Sequence, residues 1–116
     1  MKFFISQPMK GKTDEEIKAK RNAIIAGCKA QDDEAVIIDS FFEGAPHDAK
    51  PLWFLGKSIQ LLSEADVAYF AEGWETARGC KLEYECAKAY GIACICETKD
   101  DFLLAENVEE GGNENG

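Results

Sequence analysis

The chain has 116 residues, 46% of them hydrophobic, which fits one domain built around one core. No run of about 18 apolar residues occurs, so a membrane-spanning helix is excluded. The formal net charge of −9 is uneven, because residues 97–116 hold seven acids and one lysine and leave about −3 for the rest; without a broad basic face to displace counterions, duplex nucleic acid is not an expected partner.

The opening "MKFFISQPM" has one lysine and a short apolar run that soon meets Gln7 and Pro8. It makes a poor signal peptide and a good first strand, Lys2–Ser6, so the expected location is the cytoplasm. Thr13 followed by Glu16 forms a capping box, with Asp14 and Glu15 in the first turn. The helix it opens should run to about residue 30, with Ile17, Ile24, Ile25 and Cys28 on one face. "AVIID", Ala35–Asp39, reads as the second strand, and "SFFEGAPHDAK" as a loop. Pro51 starts a helix whose stripe is Leu52, Leu55, Ile59 and Leu62. "DVAYFA", Asp66–Ala71, is the third strand, and "EGWETAR" is the loop after it. "GCKLEYECAKAYG" forms the third helix and stops at Gly91. "IACIC", Ile92–Cys96, is the fourth strand, and "DFLLAENV" adds a fifth strand or a short helix. Residues 1–104 make a single domain, and residues 105–116 an acidic, flexible tail.

This β-α-β-α-β-α-β alternation with near-continuous apolar strands predicts an α/β fold, a parallel sheet covered on both faces. Ligands of such sheets bind beyond the carboxyl ends of the strands, where the strand order reverses. For a flavodoxin-like order that crevice lies between the first and third strands, among "SQPMKGK" and "EGWETAR". The five cysteines, Cys28, Cys80, Cys86, Cys94 and Cys96, fall on apolar faces or in strands and read as buried free thiols. Cys94 and Cys96 lie on one strand and His47 stands alone, so no metal site is expected.

Two charges sit on the wrong side of their helices. At about 100° per residue, Glu83 falls among Gly79, Cys80, Cys86, Ala87 and Tyr90, with Lys81, Glu85 and Lys88 opposite. A dry carboxylate needs a cationic partner, a place at the rim, or a catalytic task. On the first helix Arg21 falls within about 40° of Ile17, Ile24 and Cys28. It fits a buried ion pair with Glu83, Asp39 or Asp66, or a clamp for a phosphate or carboxylate. Ser6, Gln7, Met9, Lys10, Gly11 and Lys12 lie in the loop that leads into the first helix, whose N–H groups suit an anion. The loop is neither a Walker motif nor G-x-G-x-x-G, so no nucleotide cofactor is expected. Gly73 and Trp74 lie in the loop before the third helix, where the indole suits a flat nucleobase, a packed lid or a subunit contact; Phe41 and Phe42 share that ambiguity. Asp39 ends the second strand on the ligand side, within reach of sugar hydroxyls. Asp66 starts the third strand at the far end and reads as structural, and His47 as a surface residue.

The stretch "EADVAYFAEGWETARGCKLEYECAKAYG" resembles the hallmark segment of the nucleoside 2-deoxyribosyltransferase-like family. That family places a nucleophilic glutamate in a G-[TS]-x-x-E-x-G-x-A run after an Asp-led apolar strand. Gly79, Cys80, Glu83 and Ala87 take the corresponding places, with Cys80 in place of Thr or Ser and Glu85 in place of the second Gly. "FISQPMKGKTDEEI" is similar to the opening of a short bacterial and phage-associated branch. The resemblance implies a flavodoxin-like three-layer sandwich with four or five strands, and a homodimer or higher homo-oligomer. It also implies a nucleoside or nucleoside 5′-monophosphate substrate, cleaved at its N-glycosidic bond through Glu83 or passed on as a deoxyribosyl group. Ser58 stands where several members carry an acid near the leaving base. Ala77 stands where an acidic or hydroxyl residue handles the sugar 5′ end, and the adjacent Arg78 favours a 5′-phosphate. Two other readings stand beside this one: a nucleotide-binding module without turnover, and a structural protein in which Glu83 and Arg21 pair.

Overall fold

The structure, a computed structural model, describes residues 1–38 and 48–97. Four strands and three α-helices alternate: β1 (Lys2–Ser6), α1 (Asp14–Gln31), β2 (Val36–Ile37), α2 (Pro51–Leu62), β3 (Val67–Phe70), α3 (Arg78–Ala89) and β4 (Ala93–Cys96). A short 3-10 helix, Trp74–Thr76, precedes α3. The sheet is wholly parallel in the order β2-β1-β3-β4. This is the parallel, doubly covered sheet that the alternation implies, in the flavodoxin-like sandwich that the resemblance implies.

Strand periodicity sorts the core into two layers. Phe3 and Ile5 of β1 and Val67 of β3 meet Ile24 and Cys28 of α1 on one face. On the other, Phe4, Ala68 and Phe70 meet Leu62 of α2 and Ala87 of α3. Thus α1 covers one side of the sheet, and α2 with α3 the other. Thr13 caps α1 as its sequence predicts: its side chain accepts from the Glu16 N–H, and Glu16 accepts from the Thr13 N–H. Asp66 is structural, accepting the Lys2 N–H at 2.8 Å and tying the starts of β1 and β3. No described helix is long and apolar enough to cross a membrane.

Three expectations are corrected. Tyr90 does not share the buried face of α3. The helix ends at Ala89, Tyr90 leaves helical geometry at the cap, and its ring is 84% exposed. Gly91 follows at φ +77°, the left-handed conformation that closes a helix, so the wheel no longer holds at residue 90. The α2 stripe is buried at one end only. Leu62 is in the core, Leu55 and Ile59 are half-buried and Leu52 is exposed. Beneath that helix β2 is only two residues long and pairs only with Lys2 and Phe3, so the first turn of α2 has no described strand below it. The second strand is accordingly shorter than Ala35–Asp39, and Asp39 lies outside the described residues. So do Phe41, Phe42, His47, the "DFLLAENV" segment and the acidic tail.

Among the described residues Phe4 and Phe70 are the largest fully enclosed side chains, and Phe70 also supports Trp74 and Tyr84. Phe70→Ala should therefore cost about 3–5 kcal/mol in chemical denaturation. A loss below about 1 kcal/mol would contradict this packing.

Candidate functional site

Glu83 lies in the second turn of α3 and points inward, 7% exposed, with Cys80 and Ala87 on the same face. That face meets the end of β1. There Ser6, the last residue of the strand, donates its hydroxyl to Glu83 Oε1 at 2.5 Å. The Ser58 hydroxyl, from α2, also favours the charged form of this carboxylate. Burial pushes the Glu83 carboxyl above its ordinary value, and the two hydroxyls pull it only part of the way back. Among the described residues Glu83 makes no ion pair. Cys80, beside Ser6 and Glu83, is a protonated thiol at neutral pH, since burial lifts it to about 11.

A cleft of about 550 Å³ opens at the carboxyl ends of β1 and β3, the switch point of the strand order. Gln7, Pro8, Gly11 and Lys12 form one wall, Ala71, Glu72 and Gly73 the other, and Glu16 and Lys20 of α1 close the side. Gly73 turns the chain here at φ +93°, and a Cβ on it would meet Pro8 Cγ at 3.4 Å. The crevice thus forms from the two loops that the sequence singles out. Glu83 does not line it. The cleft opens on the α1 side of the sheet edge, whereas Glu83 approaches from the α3 side, and the two are linked through the Ser6–Gln7 peptide.

A second carboxylate organises this edge. Glu97, one residue past β4, accepts from Lys20 Nζ at 2.8 Å, from the Glu72 N–H at 2.9 Å and from the Tyr69 hydroxyl. Its carbonyl accepts from the Trp74 indole N–H at 3.2 Å, and its own N–H donates to the Phe70 carbonyl. Burial alone pushes the Glu97 carboxyl up, but Lys20, Tyr69 and the Glu72 N–H outweigh it and hold it below the ordinary range. Lys20 and Glu72 stand on different walls of the cleft, so this one side chain fixes their separation.

The family model described as "Domain of unknown function (DUF4406)" matches residues 1–96, a span that includes every described strand and helix. The chain belongs to the DUF4406 family. No curated protein matches it significantly.

The other candidate residues of this DUF4406 chain divide by position. Ser6 holds Glu83, and Gln7, Gly11, Lys12 and Gly73 line the cleft. Met9 and Lys10 are exposed at the loop tip, and Arg78 is exposed at the start of α3 next to half-buried Gly79. Arg21 is half-buried and donates to the Ile38 carbonyl at 3.3 Å. It does not pair with Glu83, because α1 and α3 lie on opposite faces of the sheet, and Asp66 is at the far end. Trp74 packs on Phe70 and Tyr84, at 5.7 and 4.6 Å between ring centres. All five cysteines are free, and no metal-ligating cluster occurs among the described residues.

Glu97 was not legible as a site residue, because by composition it begins the acidic tail. The usable signal is its place, directly after an apolar parallel strand at the ligand end of the sheet. Its lowered pKa means that its contribution to stability is present above the unfolded value of about 4.5 and is lost as pH falls through the lower folded value. Glu97→Gln should destabilise the protein by about 1–2 kcal/mol at neutral pH, a modest figure because Lys20 is partly solvated. In urea denaturation at several pH values, that difference should shrink below pH 4.5; a difference constant across pH would show that the ionised carboxylate does not hold the edge.

Proposed function

We propose that this chain cleaves the N-glycosidic bond of a nucleoside or nucleoside 5′-monophosphate, by hydrolysis or by transfer of the deoxyribosyl group, with Glu83 as nucleophile. The observation that carries the reading is a buried carboxylate at the ligand end of a parallel sheet, held by hydroxyl donors and by no described cation. Its neighbours in sequence resemble the glutamate run of the nucleoside 2-deoxyribosyltransferase-like family.

A carboxylate oxygen of Glu83 attacks the anomeric carbon as the bond from that carbon to the base nitrogen breaks. The bonding electrons leave with the base, which takes a proton, and a glycosyl ester forms on Glu83. Attack by water on the same carbon then frees the sugar, whereas attack by a second base makes a new nucleoside. Ser6 and Ser58 orient the carboxylate and favour its charged form. Ser58 is a hydroxyl where the resemblance places an acid, so protonation of the leaving base falls to water or to another group. Arg78 and the start of α3, which has no side-chain cap, support a 5′-phosphate as the group bound there. Nucleotide binding without turnover is the second reading, favoured by the enclosure of Glu83 away from the cleft wall.

Incubation with a panel of nucleosides and monophosphates should release free base, and Glu83→Gln should lower that rate on the order of a thousandfold or more. The substitution should leave stability equal or higher at neutral pH. Because the folded pKa of Glu83 is raised, its ionisation costs stability as pH rises from the ordinary value of 4.5 through the folded one. Binding without base release from any substrate would leave the second reading; strong destabilisation by Glu83→Gln would point to a structural role.

The nucleophile must be ionised, so kcat/KM should rise with pH along a limb centred above 4.5. Ser6→Ala removes a donor to the charged form and should move that limb to higher pH. A limb that stays in place would remove Ser6 from the mechanism.

A further inference from the structure

Gln7 is 8% exposed on the wall of the cleft. Its amide nitrogen donates to the Ile17 carbonyl at 3.1 Å. That carbonyl can only accept, so the nitrogen end of the amide must face it and the oxygen end must face elsewhere. Gln7 Oε1 is shielded from bulk water and has no hydrogen-bond partner among the described residues. An acceptor kept dry and unpaired disfavours the empty state and gains when a donor arrives. The cations of the cleft do not serve it: Lys20 is held by Glu97 and Lys12 is exposed.

We propose that Gln7 is a specificity-determining residue of the cleft, and that its carbonyl oxygen receives the exocyclic amino group of a nucleobase. The inference rests on the glycosidic reading, which fixes the direction of the ligand. The sugar carbon must lie at Glu83, on the α3 side of Ser6. On that reading the base bonded to that carbon is directed past Ser6 toward the cleft wall, where Gln7 follows directly in the chain, although Glu83 itself does not line the cleft. The cleft volume of about 550 Å³ accommodates a nucleobase. As the base enters, the Gln7 amide turns its oxygen toward the amino group while its nitrogen stays with Ile17. An amino group at that point is bound, and a base without a donor there leaves Oε1 unpaired.

The test uses the full chain carrying Glu83→Gln, so that binding is read without turnover. Calorimetry compares deoxynucleoside 5′-monophosphates that differ only in this group: adenine against unsubstituted purine, and cytosine against pyrimidin-2-one. The amino-bearing member of at least one pair should bind roughly tenfold tighter. In Gln7→Met that ratio should fall to within about twofold, since the thioether is a poor acceptor of similar length. Equal binding within both pairs, or a ratio that persists in Gln7→Met, overturns the role of Gln7 and leaves the glycosidic reading standing. Absence of binding by every nucleotide overturns both. Normal amino selection without base release from the wild-type chain supports Gln7 and counts against Glu83 as a nucleophile.

Discussion

The contact between the Ser6 hydroxyl and the Glu83 carboxylate joins the end of the central strand to the inner face of α3. It is the constraint on which the ligand end of this fold depends. A carboxylate taken out of water loses hydration worth several kcal/mol, and only strong, short-range donors restore part of it. Ser6 supplies a donor from β1, and the Ser58 hydroxyl of α2 also favours the charged form, so three elements converge on one acid. Moving Ser6 or Glu83 would leave a buried polar group unpaired.

The second acid at this edge obeys the opposite logic. Glu97 gathers an ammonium group, a phenol and a backbone N–H, and its charged form is favoured. Glu83 has hydroxyls alone, and its charged form is disfavoured. Environments that push two carboxylates apart in acidity are a usual way for one site to hold both a fixed charge and a reactive one. Glu97 is the fixed charge, because every oxygen it offers is used to hold α1, β3 and the loop before α3 in place. The less satisfied acid is the one with free energy to gain from a reaction partner.

How much of this is legible in the sequence depends on the kind of geometry involved. The α1 cap is local, Thr13 to Glu16, and its residues specify it. The inward aim of Glu83 follows from helical period, and holds because residues 78–89 stay helical. The same period fails at Tyr90, one residue past the helix. It also fails along α2, where burial depends on what lies beneath the helix as well as on its stripe. The Glu83–Arg21 pair fails for a related reason: a wheel shows which face of a helix is dry, but not on which side of the sheet the helix packs. Glu97 is the clearest omission. The partners of its carboxylate lie 25 to 77 residues away, and no local pattern carries such distances.

The parallel sheet connects these points. Strand order reverses between β1 and β3, so the loops after them splay and leave a cleft, while the strand ends beside it remain packed on both faces. Ser6 and Gln7 straddle that boundary. By alternation along the strand, Ser6 turns to the α3 side, and the next residue turns to α1. One peptide therefore presents a hydroxyl to the enclosed acid and an amide to the cleft. Packing alone has no use for this arrangement, since apolar residues at positions 6, 58 and 83 would fill the same space without the desolvation cost. The site proposed above, with the sugar and the base of one small molecule on two sides of a single strand end, would have a use for it.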